Sequence, residues 1–366
     1  MGFKCGIVGL PNVGKSTLFN ALTKTSQAET ANYPFCTIEP NTGRVAVPDK
    51  RIDELARIAQ SAKIIYSQLE FVDIAGLVRD ASKGEGLGNQ FLGHIREVDA
   101  IAHVLRCFED ENITHVEGTI DPIRDLEIIE TELLLADMET LEKQKASLEK
   151  KVRGNEKEAK YKLSLIEKIY PKMSNGIAAR KIDALNIEES SLILSLGLIT
   201  VKPMLYVCNL SEDHIIEGNV FSKAVSEKAK SENCGYTFVS AQIEQELSLL
   251  DEKERNEYLL SIGLEEPTLN RLIRSGYNLL DLISFFTVGP KEARGWTATN
   301  GVKAPQAAGK IHTDFEKGFI RAETIAYSDY INLNGENGAK EAGKMRVEGS
   351  DYIVKDGDIF HFRFNV

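Results

Sequence analysis

A segment near the start of the chain has the residue types and the spacing that bind a chain of phosphates. It reads Gly9-Leu10-Pro11-Asn12-Val13-Gly14-Lys15-Ser16-Thr17 and fits the pattern G-x-x-x-x-G-K-[ST] at every position. Glycines let backbone N–H groups turn toward an anion, a following helix adds the positive end of its dipole, and Lys15 supplies a point charge. Ser16 offers a hydroxyl to Mg²⁺. The segment therefore predicts a site for a nucleoside triphosphate with Mg²⁺.

The sequence on either side of this segment predicts the elements that must position it. An apolar run from Phe3 to Val8 is typical of a strand, and Leu18, Phe19 and Leu22 follow with the spacing of a helix. A strand, a loop and a helix in this order form the context in which the pattern binds phosphate. We therefore expect an α/β domain whose binding residues lie at the carboxyl ends of its strands.

Two later segments carry residues that suit the magnesium ion and the terminal phosphate. Thr37 lies between two prolines, in a stretch that resists helix formation, and is the candidate to reach Mg²⁺ and the γ-phosphate. A surface threonine without a role is the alternative. Asp73 ends a strand-like run and begins Asp-x-x-Gly, so its carboxylate can reach Mg²⁺ through water while the N–H of Gly76 approaches the γ-phosphate.

The position that orients the attacking water in many GTPases holds an aliphatic residue here. Leu77 follows Gly76, where those enzymes have a glutamine. Because an aliphatic side chain cannot orient water, hydrolysis is either slow or depends on a residue from another loop. His115 lies in the loop after the next strand-like run and is the candidate for that role. On the residues alone, a solvated loop histidine is the alternative.

Candidate base-recognition residues follow another apolar, strand-like run. A guanine reader has Asn-Lys-x-Asp there, in which the aspartate accepts two N–H groups of guanine and the lysine stem covers the base. Here Asn209 is kept, but Leu210 replaces the lysine and Glu212 replaces the aspartate. Adenine presents an acceptor where guanine presents a donor, so loss of this pair removes the rejection of ATP. Ser240 and Ala241 fit the second base-side loop. We expect adenine, or either purine.

Residues 124–200 have a different character. Apolar residues recur every three or four positions in two segments separated by Arg153-Gly154-Asn155, which predicts an antiparallel helical hairpin of the coiled-coil type. Residues 125–142 contain seven acids and no Lys or Arg, whereas residues 143–172 contain ten Lys or Arg against four acids. A basic arm that touches RNA phosphates and the solvated face of a coiled coil both fit this pattern.

The last part of the chain, residues 281–366, consists mainly of short alternating runs that predict strands. Asp356-Gly357-Asp358 lies between the last two runs and predicts a hairpin turn. The region contains eleven Lys or Arg against twelve Asp or Glu and shows no catalytic cluster. We expect a small α+β interaction module.

The composition excludes several classes of protein. A length of 366 residues predicts two or three domains. The 55 acidic against 44 basic residues argue against a broadly cationic nucleic-acid binder, and we expect no sequence-specific DNA binding. No apolar run reaches the roughly 18 residues that span a bilayer, and no secretion signal is present. The five cysteines are scattered and lack a C-x-x-C pair, as expected of buried thiols. The chain is expected to be cytoplasmic, without a membrane partner.

Several motifs together resemble the YchF family of Obg-like ATPases. In chain order they are Gly-Leu-Pro-Asn-Val-Gly-Lys-Ser-Thr-Leu-Phe-Asn, Asn-Tyr-Pro-Phe-Cys-Thr-Ile-Glu-Pro-Asn, Asp-Ile-Ala-Gly-Leu-Val and Asn-Leu-Ser-Glu. The tail Asp-Gly-Asp-Ile-Phe-His-Phe-Arg-Phe-Asn-Val resembles the C-terminal TGS domain of that family. The resemblance covers essentially the whole chain, and its motifs are very specific.

The resemblance implies a Ras-like G-domain, interrupted by a helical hairpin and followed by a ubiquitin-like β-grasp TGS domain. It also implies Mg²⁺-dependent hydrolysis of ATP in preference to GTP, association with the ribosome in the cytoplasm, and links to translation and stress. His115 matches the context of the loop histidine that is the family's proposed catalytic residue. Asn12 matches the asparagine that coordinates K⁺ in related potassium-stimulated enzymes, so activation by K⁺ is a further hypothesis.

These observations lead to one interpretation and two alternatives. We expect an α/β P-loop G-domain in residues 1–123 and 201–280, an inserted helical hairpin in residues 124–200, and an α+β β-grasp (TGS) domain in residues 281–366. The function is ATP hydrolysis with Lys15, Gly76 and His115 as the catalytic residues, and the helical and TGS domains contact the ribosome and its RNA. The alternatives are a GTP-dependent switch and a ribosome-binding module whose nucleotide turnover is incidental.

Overall fold

The structure is a computed structural model that describes residues 3–30, 41–74, 87–110, 118–182 and 186–365. The chain forms two units, which are described separately. The first unit comprises Phe3–Gly43 and Glu70–Gly276, and the second comprises Arg44–Leu69 and Tyr277–Val366.

Helices and strands alternate along most of the chain. In order they are β1 (Lys4–Val8), α1 (Lys15–Thr30), β2 (Thr42–Ala46), α2 (Lys50–Ala59), β3 (Ile64–Ile65), β4 (Gln68–Asp73), α3 (Leu87–Glu97), β5 (Ala100–Arg106), α4 (Pro122–Arg153), α5 (Lys157–Ser174), α6 (Ile187–Ser195), β6 (Met204–Asn209), α7 (Val220–Ser231), β7 (Gly235–Val239), α8 (Ala241–Leu247), α9 (Glu252–Ser261) and α10 (Thr268–Leu279). They continue as β8 (Leu282–Val288), β9 (Ala293–Thr299), α11 (Ala304–Ile311), α12 (Thr313–Lys317), β10 (Phe319–Ala326), α13 (Tyr327–Asn332), α14 (Glu336–Glu341), β11 (Arg346–Glu348) and β12 (Asp358–Phe364). Among the described helices, none combines the length and the apolar composition that crossing a membrane requires.

The first unit is built on parallel strands in the order β4-β1-β5-β6-β7. Strands β5 and β6 are buried along their whole length, as expected for central strands of a parallel sheet that is covered on both faces. The chain places β4 on one side of β1 and β5 on the other. At such a reversal of strand order a crevice opens at the carboxyl ends of the strands, which is where α/β sheets bind ligands.

The predicted antiparallel helical hairpin is present. Helix α4 begins after Asp121, whose carboxylate accepts hydrogen bonds from the first N–H groups of the helix. It ends at Arg153, and α5 returns from Lys157, so that the Tyr170 hydroxyl donates to Glu142 Oε1 at 2.6 Å. The helices share a buried apolar cluster that includes Leu141, Leu165, Ile166, Ile169 and Met173.

A cluster of charged and polar side chains joins the start of this hairpin to the parallel sheet. The Tyr206 hydroxyl on β6 donates to Glu232 Oε2 at 2.7 Å. Lys181 Nζ lies 2.8 Å from the same oxygen and 3.3 Å from Glu130 Oε2 on α4. Arg180 forms a further ion pair with Glu130. Because each carboxylate has cationic partners, the cluster can be largely buried at an acceptable desolvation cost.

The second unit contains a sheet with the strand order β11-β10-β12-β8-β9-β3. Strands β8 and β9 form an antiparallel pair, and β12 lies parallel to β8 and antiparallel to β10. This is the arrangement of the predicted β-grasp. Apolar clusters cover both faces of the sheet, one including residues of α11 and the other including residues of α2, α13 and α14.

The structure differs from the sequence-based domain boundaries at residues 44–69. This segment was expected inside the nucleotide-binding domain of residues 1–123, whereas it belongs to the second unit. Ile64 on β3 pairs with Ala293 on β9, and α2 buries Ile52 in the apolar cluster of the same unit. The amphipathic pattern of α2 shows that it needs an apolar partner but does not identify which sheet supplies it.

The hairpin turn expected at residues 356–358 is wrong. The N–H of Gly357, which has a φ of 89°, donates to the Ser284 carbonyl at 2.8 Å. Asp356 Oδ1 accepts the N–H of Ser284 at 2.9 Å. The turn therefore binds strand β8 instead of joining two paired strands. Ile353, before the turn, forms its bridge with Lys303.

Candidate functional site

The predicted phosphate-binding segment connects β1 to α1 at the carboxyl edge of the parallel sheet. Strand β1 ends at Val8, and α1 begins at Lys15. Between them Asn12 has a φ of 63° and Gly14 a φ of 92°, both in the left-handed region. The N–H of Leu18 in α1 donates to the Gly14 carbonyl at 3.0 Å. This hydrogen bond connects the first turn of the helix to the loop. A loop of this conformation at a helix N-terminus is suited to binding an anion.

Asn209 joins this loop to the predicted base-side loop. Its Nδ2 donates to the Val13 carbonyl at 2.9 Å, and its Oδ1 accepts the N–H of Ala241 at 3.0 Å. The side chain is 4% exposed. A Cβ atom on Gly14 would lie 2.2 Å from Asn209 Nδ2. Glycine is therefore required at position 14 by its positive φ and by the close approach of this amide.

Asp73 and Lys15 interact electrostatically where β4 and α1 adjoin the loop. Asp73 is the last residue of β4, and its Oδ1 is buried without a hydrogen-bond partner in the described part of the chain. Burial raises the pKa of Asp73, and the positive charge of Lys15 partly opposes this increase. Lys15 is 8% exposed. Ser16 is exposed at the start of α1, and Thr17 beside it is half-buried.

These residues fit a magnesium ion. A buried carboxylate oxygen without a partner costs free energy, and a hard cation is a suitable partner for it. Mg²⁺ typically takes one or two protein oxygens and fills its remaining positions with water and phosphate oxygens. Asp73 and the Ser16 hydroxyl could supply these protein oxygens.

The remaining base-side residues lie next to this junction along the chain. Leu210 is 2% exposed, and its N–H donates to the Val239 carbonyl at 2.8 Å. Glu212 is half-buried in a short 3₁₀ turn, Glu212–His214. Ser240 is fully buried, and it caps α8 by accepting the N–H of Ile243 at 3.4 Å. The structure thus brings Asn209 and Ala241 to the phosphate loop and assigns Ser240 to holding the base-side loop in place.

Three predicted site residues lie outside the described residues. They are Thr37, Gly76 and His115, and Leu77 lies outside as well. Their assignments stay predictions.

Arg106, the last residue of β5, was not among the residues predicted from the sequence. It is 1% exposed and donates from Nε to the Phe108 carbonyl and from an Nη to the Asp110 carbonyl, both at 3.2 Å. Its guanidinium carbon lies 4.8 Å from the centre of the Phe108 ring. Arg106 therefore holds the start of the loop in which His115 occurs further along. An arginine at the end of an otherwise apolar run was the signal for it.

A second candidate surface is the tip of the helical hairpin. Five exposed cations cluster around the turn between α4 and α5, and none of them forms an ion pair within the described residues. We call them the tip cluster: Lys150, Lys151, Arg153, Lys157 and Lys160. By contrast, Lys143 and Lys162, also among the hairpin's basic residues, are neutralised by glutamates four positions earlier. The tip cluster is therefore available to an anionic partner.

Comparison with family models identifies both ends of the chain. Residues 4–136 match a model described as a 50S ribosome-binding GTPase. Residues 282–365 match the YchF-GTPase_C model, which is described as a protein of unknown function.

Comparison with curated proteins and solved structures extends this similarity to the full length. The chain is 57% identical to a protein of Haemophilus influenzae, 56% to one of Escherichia coli O157:H7 and 50% to one of Bacillus subtilis, with 100% of both chains covered in each case. All three are named ribosome-binding ATPase YchF. The structure of the Schizosaccharomyces pombe YchF GTPase is similar with a TM-score of 0.89 and 42% identity, covering 99% of this chain and 98% of that one.

Proposed function

The chain belongs to the YchF family, and on this premise we propose that it is a P-loop ATPase that binds the ribosome. One observation supports the nucleotide-binding part most directly. Asn209 connects the phosphate loop at Val13 to the base-side loop at Ala241 through two buried hydrogen bonds. A ligand with a phosphate chain at one end and a base at the other would contact both loops of this junction.

The residues at the phosphate end of the site would bind either the phosphates or Mg²⁺. Lys15 and the backbone of the phosphate loop would bind the phosphates, and the N–H of Gly76 would donate to the γ-phosphate. Ser16, Thr37 and Asp73 would hold Mg²⁺, which when bound neutralises charge on the phosphate oxygens. In support of this assignment, Asp73 Oδ1 is buried without a hydrogen-bond partner among the described residues.

His115 is the proposed residue that orients the attacking water, because Leu77 has no polar group for that task. Arg106 would act through the loop, since its bonds to the Phe108 and Asp110 carbonyls fix the start of the segment that leads to His115.

The test is His115→Ala, with exposed His361 on β12 replaced by Ala as the control. We expect slower ATP hydrolysis at unchanged affinity for a non-hydrolysable ATP analogue. Unchanged hydrolysis would remove His115 from the mechanism.

We propose that the site prefers adenine because it lacks the lysine and aspartate of a guanine reader at Leu210 and Glu212. The test is a calorimetric titration with non-hydrolysable ATP and GTP analogues, with Mg²⁺ and K⁺ present. ATP binding at least tenfold tighter, or ~1.4 kcal/mol, is expected. The double variant Leu210→Lys/Glu212→Asp is the matched comparison, since it restores Asn-Lys-x-Asp and should strengthen GTP binding. Tighter GTP binding by the unmodified protein would refute the preference for adenine.

Potassium activation is a separate proposal that rests on Asn12. We expect faster hydrolysis in KCl than in NaCl at equal ionic strength, and Asn12→Ala should remove the difference. Equal rates in the two salts would exclude a potassium site at Asn12.

The ribosomal contact is proposed to involve rRNA phosphates at the tip cluster, with the β-grasp domain as a second contact. Exposed, unpaired cations suit a phosphate backbone, and each phosphate contact steepens the salt dependence of binding by about one unit. Replacing Lys151 and Lys157 by Gln should therefore weaken ribosome binding and reduce the salt slope by about two. The control replaces exposed Lys223 and Lys230 on α7 by Gln. Equal binding by the two variants would exclude the tip cluster.

A GTP-dependent switch is the second candidate function. It is supported by the matching model described as a 50S ribosome-binding GTPase and by the name of the Schizosaccharomyces pombe structure. The analogue titration separates the two nucleotides. A third possibility is a ribosome-binding module with incidental turnover, which predicts that His115→Ala binds ribosomes normally and keeps its cellular role.

Ribosome association would place the protein in the cytoplasm, where its nucleotide turnover would serve translation or the stress response.

A further inference from the structure

The carboxylate that stands where a guanine reader has its aspartate is already engaged by the protein. The Tyr258 hydroxyl on α9 lies 2.8 Å from Glu212 Oε2. The same hydroxyl lies 2.7 Å from Glu246 Oε2 on α8. Both contacts are partly buried. The side chain of Glu212 is therefore directed to a partner on the neighbouring helices.

This contact has one donor and two acceptors. A phenol has a single proton to donate, while two carboxylates accept from it, so the hydroxyl is held between two negatively charged groups. A hydrogen bond to a charged group is stronger than a neutral one. Burial, followed by the hydrogen bonds to Glu246 and Glu212, raises the pKa of Tyr258, so the phenol stays a donor at physiological pH. Glu212 thus faces a protonated phenol, whose single proton it shares with Glu246.

Guanine recognition requires something different from this carboxylate. It must present both oxygens to the two N–H donors on the edge of the base, and a site built on such bonds discriminates strongly. An oxygen of Glu212 that accepts from Tyr258 is less available for this purpose. Replacing aspartate by glutamate alone leaves a carboxylate that could reach guanine with a longer arm, so the change of residue type does not by itself abolish guanine binding.

We propose that Tyr258 is a specificity-determining residue that acts by holding the Glu212 carboxylate away from guanine. Tyr258 is a positioning residue in this account, since it acts through Glu212. The inference rests on the proposed function in that it takes Glu212 to lie at the base.

The experiment measures the affinity of the full chain for non-hydrolysable ATP and GTP analogues by calorimetry. In Tyr258→Phe the ring is kept and the donor is lost, so Glu212 becomes free to accept from guanine. We expect the ratio of GTP affinity to ATP affinity to rise about tenfold, the size of one hydrogen bond to a charged group. The double variant Tyr258→Phe/Glu212→Gln should lose this gain, because it lacks the freed carboxylate.

The matched control is Tyr170→Phe, which removes an equivalent tyrosine–glutamate hydrogen bond, of 2.6 Å to Glu142, in the helical hairpin. It should leave the affinity ratio unchanged. Glu212→Asp tests the contact from the other side, because the shorter side chain withdraws from Tyr258 while keeping its charge. It should also raise the ratio. A merely structural role of Tyr258 would weaken both analogues equally.

An unchanged ratio in Tyr258→Phe and Glu212→Asp would overturn the inference, as would a gain that persists in the double variant. These outcomes are distinct from failure of the proposed function. If the unmodified protein binds GTP more tightly than ATP, the adenine preference is refuted. The change in the ratio of GTP affinity to ATP affinity in Tyr258→Phe would still decide whether Tyr258 restrains Glu212.

Discussion

Stability of the nucleotide-binding unit should fall in mild acid because of one buried histidine. His103 lies in the middle of β5 and is fully buried. Neither of its ring nitrogens has a hydrogen-bond partner among the described residues. Burial, with a smaller contribution from the charge of Arg180, lowers the pKa of His103 from 6.5 to about 3. The folded protein therefore keeps this ring neutral, whereas the unfolded chain protonates it below pH 6.5.

The sign and the size of the effect follow from this difference. Between the two pKa values the unfolded chain binds the proton and the folded protein does not, so stability decreases as the pH falls. Each pH unit below 6.5 costs about 1.4 kcal/mol until the folded pKa is reached. At pH 5 the loss due to His103 is about 2 kcal/mol.

The substitution that tests this is His103→Leu, which keeps a side chain in the cavity but cannot titrate. It also removes two buried polar atoms that lack partners, so at pH 7.5 we expect stability within about 1 kcal/mol of the unmodified protein. At pH 5 the variant should be the more stable by about 2 kcal/mol.

The assay must report on the first unit, because a chain with two units has no single free energy of unfolding. The only tryptophan, Trp296, lies in the second unit. Amide hydrogen exchange of β5 and β6 at pH 5 and 7.5 measures the opening of the relevant strands. Trp296 fluorescence during urea unfolding provides an internal reference. His361→Leu, at an exposed position, is the control. The same loss of protection in acid with and without His103 would show that His103 is not the cause of the acid sensitivity.

Three further substitutions test the site and its support. Gly14→Ala should weaken binding of an ATP analogue at least tenfold in calorimetry, because its Cβ would lie 2.2 Å from the Asn209 amide at a φ of 92°. Asp137→Ala should lower the free energy of opening of the first unit, measured by hydrogen exchange, by about 3 kcal/mol. It leaves three buried donors of residues 199–200 without their acceptor. Asp73→Asn should reduce the gain in analogue affinity on adding Mg²⁺, while binding without Mg²⁺ is unchanged or tighter.

Each of these has a comparison within the same chain. Gly197→Ala has a similar backbone strain, with a φ of 65°, but its Cβ meets nothing within 4 Å, so it should leave nucleotide binding unchanged. Asp137→Asn keeps one acceptor and should cost less than Asp137→Ala. If Gly14→Ala binds the ATP analogue with normal affinity, the contact between Gly14 and Asn209 is not needed for nucleotide binding. An unchanged Mg²⁺ effect in Asp73→Asn would exclude this carboxylate as a ligand of Mg²⁺.

Features that are encoded over a few neighbouring residues can be predicted from the sequence alone. The phosphate loop follows from glycine and lysine at set positions between an apolar strand and a helix, since these residue types permit few other conformations. The hairpin follows from apolar residues at helical spacing on both sides of Gly154. The β-grasp strands follow from alternating runs. The turn at 356–358 was predicted to join two paired strands, but it bonds to Ser284 on β8.

Which distant surfaces and side chains meet depends on how the elements pack together. Helix α2 and strand β3 could have packed on either sheet, and they lie in the second unit. Asn209 is predicted to contact the base, and the fold adds that its amide bonds to Val13, 196 positions away in sequence, and to Ala241. The Tyr258–Glu212 contact spans 46 positions. Side-chain hydrogen bonds of this kind leave no local pattern, because backbone propensity and hydrophobic periodicity act within one element, whereas the partner of a polar group is set by the packing of several.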